Sequence, residues 1–281
     1  MRSWWLAPVL ISLAAAAHAD PHPDTSEASY LPPPPAPIAS PITDHFALTA
    51  GYFWGSVSTF GRFDSSSGVQ GTPFSAEHDL GLTDQARQPF IEIIFRLEER
   101  NRLRVDFIDL RRAADKVIDR TVQYGDVTFL VDNPVHSEFD WRQMDLTYTY
   151  SFLRNDRFEL GAGLGVHLLE AEAIAEIPKT PQSADFNGAG PFATLALDGT
   201  WRISRHWALT ARGNYLKVTI GSVGGQMGQL HTDLQYRWRR NLAFGVGYRR
   251  QEIDLDLHGT DPSGVLRFII SGPELFARAS F

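Results

Sequence analysis

The strongest constraint on the fold of this chain is a period-two alternation of apolar and polar residues. It begins near His45 and returns, between turn signals, up to the last residue. The first run places five apolar residues on one face: Phe46, Leu48, Ala50, Tyr52 and Trp54. Alternation of this kind predicts β-strands with one apolar and one polar face. The fold class expected is therefore all-β.

The connections between the predicted strands alternate in length, and this predicts their number. Tight polar turns are expected near 98–101, 154–156, 204–206 and 239–241. Longer connections rich in Gly, Pro, Ser and Asp are expected at about 64–86, 114–136, 173–188, 219–226 and 256–264. This asymmetry is typical of a single transmembrane, antiparallel, up-and-down β-barrel. Ten strands are predicted, with eight or twelve as alternatives because 114–136 could hide strand extensions.

The part of the chain before the first strand differs in composition from the rest. Arg2, the apolar stretch 4–17 and the small residues around Ala19 predict a cleaved signal peptide over residues 1–19. The proline-rich segment 20–43 is expected to be an extended periplasmic leader, either a plain spacer or a contact for peptidoglycan or a partner. The barrel is assigned to 44–281. An even number of strands then places both termini in the periplasm of a Gram-negative bacterium.

Aromatic residues flank the predicted tight turns and predict a belt at one membrane interface. In outer-membrane barrels, such belts mark the two edges of the apolar band. The periplasmic girdle is expected to comprise Phe46, Phe152, Phe158, Trp201, Trp207, Trp238 and Phe281.

If the apolar faces contact lipid, the opposite faces point into the lumen and carry equal numbers of arginines and acids. The expected lumen charge network is Glu92, Arg96, Arg104, Asp106, Asp145, Glu159, Asp198, Arg202, Arg212, Asp233, Arg237, Arg249, Glu274 and Arg278. Because a ten-stranded barrel is only slightly wider than one filled by its own side chains, these charges should pair. The pattern argues against a wide porin and permits a narrow path for small solutes.

Histidines close to acidic residues are the candidate sites for chemistry. His231 and Asp233, two residues apart on one strand, are the weak catalytic candidates, and His167 is the next. No serine is placed as a nucleophile, so no enzyme activity is predicted. Glu77, His78 and Asp79 match no defined metal-binding loop, and neither a metal nor a cofactor is expected. The formal net charge of −7 and the lack of a basic stripe argue against nucleic acid as a partner.

The chain resembles outer-membrane β-barrel proteins at several places. Its C-terminal stretch 272–281 is similar to the signal read by the barrel assembly machinery, although Ala279 stands where a second aromatic is usual. The stretches 71–77 and 197–203 resemble an uncharacterised family of small outer-membrane barrels, over about residues 45–281. The resemblance implies fold and location only. Expected partners are outer-membrane lipid and lipopolysaccharide and, during biogenesis, that machinery and periplasmic chaperones.

Three functions remain open at this point. The first is a non-enzymatic barrel that is structural or passes small solutes through a narrow, charge-lined lumen. The second is a surface adhesion or binding barrel that acts through loops 64–86 and 114–136. The third is an outer-membrane hydrolase with a site at His231 and Asp233.

Overall fold

The computed structural model describes residues 39–221, 223–258 and 263–281. The predicted signal peptide and most of the predicted leader lie outside the described residues. The described residues form ten long strands: β1 (Phe46–Asp64), β3 (Gln85–Arg96), β4 (Asn101–Val117), β7 (Pro134–Arg154), β8 (Phe158–Glu176), β9 (Ser183–Arg202), β10 (Trp207–Ile220), β11 (Val223–Arg239), β12 (Leu242–Leu257) and β13 (Ser263–Ser280). Three short strands lie between them: β2 (Phe74–Ser75), β5 (Val122–Tyr124) and β6 (Val127–Phe129).

The ten long strands close into one antiparallel barrel. Each long strand pairs with the next along the chain, and β1 pairs with β13 from Ala47↔Ser280 to Asp64↔Ser263. The prediction of an all-β barrel of ten strands is confirmed. Within the described part of the chain, no helix is long and apolar enough to cross a membrane.

The two ends of the barrel differ, and we call them the short-turn end and the long-loop end. The short-turn end holds the four tight connections, the start of β1 and the end of β13. Polar side chains close these turns: Asn155 Oδ1 accepts from the backbone N–H groups of Arg157 and Phe158. Ser204 Oγ does the same for His206 and Trp207. All four tight turns lie where the polar clusters predict them.

Strands at the long-loop end are longer than the sequence pattern predicts. The segment 173–188 is largely strand, because β8 continues to Glu176 and β9 begins at Ser183. The segment 114–136 likewise contains the end of β4, the start of β7 and a β5–β6 hairpin that pairs only with itself. Near the long-loop end the apolar residues of the alternation lie on the inner face, whereas nearer the short-turn end they lie on the outer face. This change of face made the strand extensions hard to predict from the sequence.

The change of face divides the barrel interior into two tiers. Toward the short-turn end, inward side chains are charged and outward ones are apolar. Toward the long-loop end, the outward side chains become charged, as when β8 passes from Leu168 to Glu170, and the inward ones become apolar. We call the two interior regions the charged tier and the apolar tier. Strands that leave the apolar band for water thus enclose a core like that of a soluble barrel.

Candidate functional site

The structure places all fourteen residues of the predicted lumen network on the inner face of the barrel. Asp106, Arg202 and Arg249 are half-buried and the others are buried. Most of them lie within ion-pair distance of an opposite charge, as Arg104 Nε does at 3.3 Å from Asp106 Oδ2. Pairing is required here, because an isolated buried charge is costly.

The charged tier is closed at the short-turn end. Arg96 donates to both oxygens of Glu159, at 2.7 and 2.9 Å. Arg237 forms a bidentate ion pair with Asp44, which precedes β1: two guanidinium nitrogens donate to the two carboxylate oxygens. The segment 40–45 turns into the mouth of the barrel, and its Ile42 side chain is 2% exposed. We call this segment the mouth plug.

Glu92 is the centre of the next layer. It pairs with Arg212 and, at 3.0 Å, with Arg278 of the last strand. Sequence reasoning missed a further member of this layer, Arg102, which pairs with Asp198 and lies 3.3 Å from Glu159. Its position two residues before Arg104 on the inner face of β4 was the available signal.

His231 and Asp233, the weak catalytic pair, both lie in the lumen. His231 contacts Glu274 through Nε2 and Arg212 through Nδ1. Asp233 lies 3.8 Å from the same guanidinium of Arg212. The carboxylate that contacts the imidazole is therefore Glu274, and Asp233 belongs to the surrounding ion pairs.

His167 has a more ordered environment. Its Nδ1 lies 2.7 Å from Asp145 Oδ1, and its Nε2 lies 2.7 Å from Thr194 Oγ1. The connectivity is that of an acid–base–hydroxyl triad. All three side chains are buried, and the cavity beside Asp145 measures about 40 Å³, enough for water but not for a substrate. The arrangement holds β7, β8 and β9 together.

The apolar tier fills the other half of the lumen. Phe139, Trp141 and Phe268 stack, with ring centroids 4.6 Å apart for Trp141 and Phe268 and 5.7 Å apart for Phe139 and Phe268. Phe53 and Phe90 are buried in the same cluster. The sequence pattern does not predict this tier, because it assigns residues such as Phe139 and Trp141 neither to a strand face nor to a loop.

The aromatic residues predicted for the girdle lie beside the tight turns. Phe46 is half-buried between Phe95 and Phe281, with ring centroids 5.1 and 6.3 Å away. The others are exposed on the outer face: Phe152, Phe158, Trp201, Trp207, Trp238 and Phe281. Tyr52, Trp54, Tyr215 and Tyr248 are exposed farther along the same face, near the point where charged residues replace apolar ones.

Loop residues 65–84 and 118–133 are bound to each other and to β4, and we call them the loop platform. Arg120 donates to both oxygens of Asp79, at 2.9 and 2.6 Å. Arg112 donates to Glu77 at 2.6 Å. The Arg120 hydrogen bonds hold the pKa of the Asp79 carboxyl well below its usual range. Glu77, His78 and Asp79 thus take part in ion pairs, and among the described residues no cluster could hold a metal ion.

The cavities of the charged tier are small. One, lined by Asp44, Arg102 and Arg278 among others, measures about 40 Å³, as does its neighbour beside His231. Side chains and the mouth plug occupy the rest of this tier. A lumen filled in this way holds isolated waters, but offers no wide path between the two ends.

Comparison with known proteins places this architecture in a class. The outer membrane protease OmpT from Escherichia coli is similar, with a TM-score of 0.52 and 11% identity over 84% of this chain and 97% of that one. A Pseudomonas aeruginosa FadL homologue has a TM-score of 0.38 and 9% identity over 87% of this chain and 92% of that one. Ail, the attachment invasion locus protein of Yersinia pestis, has a TM-score of 0.32 and 9% identity over 83% of this chain and 98% of that one.

The chain has the fold of the outer-membrane β-barrels. Within that class it is a small barrel of ten strands that surrounds its own side chains. No protein-family model matches the sequence, and comparison with curated proteins finds no relative.

Proposed function

We propose that the protein is a closed, non-enzymatic outer-membrane barrel that anchors the loop platform at the cell surface and does not conduct solutes. The observation that carries this proposal is that side chains block the lumen toward both ends. The mouth plug and the Arg96–Glu159 pair close one end, and the Phe139–Trp141–Phe268 stack closes the other. The blocked lumen favours a structural barrel over one that passes small solutes.

The proposed orientation follows from the asymmetry of the barrel. Outer-membrane barrels carry short turns on the periplasmic side and long loops outside. The short-turn end, with both termini of the barrel, is then periplasmic, and its exposed aromatic residues form the girdle at that interface.

Planar bilayer recordings test the closed lumen. The purified full chain should insert without producing steady conductance steps. Glu99→Gln, at an exposed site near the short-turn end, serves as a control that should behave identically. Large, weakly selective steps from the unaltered protein would contradict the proposal.

A second candidate function is recognition of a surface partner by the loop platform. The Asp79–Arg120 and Glu77–Arg112 pairs fix the loops in advance, which lowers the entropy lost on binding. Replacing the exposed tip residues 66–70 with a Gly-Ser spacer should reduce adhesion of expressing cells if this function holds. Unchanged adhesion would leave only the structural role.

A further inference from the structure

The barrel wall is split between β9 and β10 at the long-loop end. These strands pair only from Arg202↔Ala208 to Leu195↔Tyr215. Beyond that point, β9 continues to Ser183 in register with β8, and β10 continues to Ile220 in register with β11. Among the described residues, nothing pairs with the free edge of β9 over 183–194. Pro191 lies on this edge, consistent with the restriction of proline to unpaired strand edges.

A second split, between β3 and β4, is covered by the loop platform and serves as a comparison. Pairing there ends at Ile91↔Phe107. The loop platform packs against β4 at this place: Leu82 is buried, and Arg112 donates to Glu77 Oε1 and to the carbonyl oxygen of Thr83. The split between β9 and β10 has no comparable cover in the described chain.

The uncovered split leads into a cavity of about 570 Å³ in the apolar tier. This volume lies within the range of about 300–1,000 Å³ common for ligand pockets. Apolar side chains that line it include Trp141, Leu169, Phe186, Phe192, Leu255 and Leu257. Phe192 crosses the base of the split toward Gly225 of β11, where an added Cβ would meet its ring at 2.7 Å. A side chain on Gly225 would therefore displace the Phe192 ring from this position.

The position of the split indicates what can reach the cavity. Leu195 and Tyr215, the last paired residues, are exposed on the outer face, and Lys217 is the next outward residue of β10. On the neighbouring strand, Leu168 pairs with Pro191, and the outward residue after Leu168 is Glu170. The split therefore starts within the top of the lipid-facing band and rises out of it. Its free backbone groups need polar partners that hydrocarbon cannot supply, but lipid headgroups and water can.

We propose that this split is a lateral entry through which one alkyl chain of a membrane amphiphile enters the apolar cavity. The lining has no inward charge to select a polar ligand, because Asp185 and Asn187 lie on the exposed side of β9. A chain already in the membrane meets the opening without crossing water. This inference goes beyond the closed barrel and holds whether or not the loop platform binds a partner.

Fluorescence of Trp141, which lines the cavity, tests the proposal. Trp54, Trp201, Trp207 and Trp238 are changed to Phe, so that Trp141 is the only tryptophan after residue 19. The barrel is placed in phosphatidylcholine vesicles, and bromine-labelled stearic acid is added. A second sample contains phosphatidylcholine with brominated acyl chains. Saturable loss of Trp141 emission is expected in at least one of the two samples. If only the brominated fatty acid quenches Trp141, the occupant is a free amphiphile. If the brominated phosphatidylcholine quenches it as well, the occupants include bilayer lipid.

Matched variants separate entry from nearby lipid. Gly190→Phe should place a ring in the cavity and reduce the quenching, because an added Cβ there has no atom within 4 Å and a side chain can be accommodated. Ala193→Phe, exposed on the outward side of the same strand, should leave the quenching intact. Heat-modifiable gel migration confirms that each variant folds. The proposal fails if neither arm quenches Trp141, or if quenching is the same in Gly190→Phe, and neither result affects the conductance test.

Discussion

At the scale of single residues, the protein depends on buried charges that are shared between strands. Glu159 is fully buried and accepts hydrogen bonds from Arg96 and, at 2.6 Å, from Ser151 Oγ. The replacement of a buried pair by apolar residues can be neutral, but the removal of one partner leaves the other charge uncompensated. The two kinds of change should therefore have very different effects here.

Glu159→Ala tests this dependence. We expect the free energy of unfolding in detergent to fall by about 3–5 kcal/mol, because Arg96 remains buried without its carboxylate. Glu99→Ala is the control: its side chain is 84% exposed and lies 3.3 Å from Arg154. That change should cost less than about 1 kcal/mol. Urea unfolding measures both, and equal losses would contradict the assigned role of Glu159.

The Asp79–Arg120 pair should make the loop platform sensitive to acid. Because the pKa of Asp79 is lower in the folded protein than in the unfolded chain, the pair contributes its full stability above about pH 4. Below that value the unfolded chain binds a proton more readily than the paired carboxylate, so the contribution shrinks progressively and is lost once the pH passes the folded pKa. Hydrogen exchange of residues 73–80, corrected for intrinsic rates, should show less protection at pH 3 than at pH 6. In Asp79→Asn, protection should be low at both.

At the scale of strands, the sequence pattern predicted one half of the barrel well and the other poorly. In the lipid-facing half, two signals give the same assignment of strand faces. Charged residues such as Glu92 point inward, and apolar neighbours such as Ile91 point outward. Toward the long-loop end, the apolar residues move inward, as for Phe139 and Trp141, which the sequence pattern assigned to neither a strand nor a loop. The mouth plug was missed because Asp44 and Ile42 act outside any strand. Individual ion-pair partners depend on register, which alternation does not specify.

Close approach of β7 and β8 gives a prediction at this scale. A Cβ on Gly163 would lie 1.8 Å from the carbonyl oxygen of Tyr148, so Gly163→Ala should force the strands apart and cost roughly 1–3 kcal/mol. At Gly213, the nearest atom to an added Cβ is the carbonyl oxygen of Gln229 at 3.7 Å, an ordinary contact. Gly213→Ala should leave the urea midpoint nearly unchanged. Similar midpoints for the two variants would contradict this packing.

At the scale of the whole molecule, the orientation in the membrane can be tested with unusual clarity because the chain has no cysteine. Ser66→Cys, exposed in the loop platform, should react with a membrane-impermeant maleimide on intact cells. Asp156→Cys, exposed in a short turn, should react only after the outer membrane is permeabilised. The reverse pattern would invert the proposed topology while leaving the fold unaffected.

The ion pairs of the last strand have a consequence for assembly. Arg278 reaches Glu92 and Thr49 from 186 and 229 residues away along the chain. Until β13 joins β1, Glu92 lacks this cation and the inner face of the open sheet carries charges with incomplete partners. Pairing of β13 with β1 therefore completes the hydrogen bonds of the barrel wall and, in the same event, supplies Arg278 to Glu92 in the lumen. The barrel should mature in a single cooperative step, with truncated chains held back as open sheets.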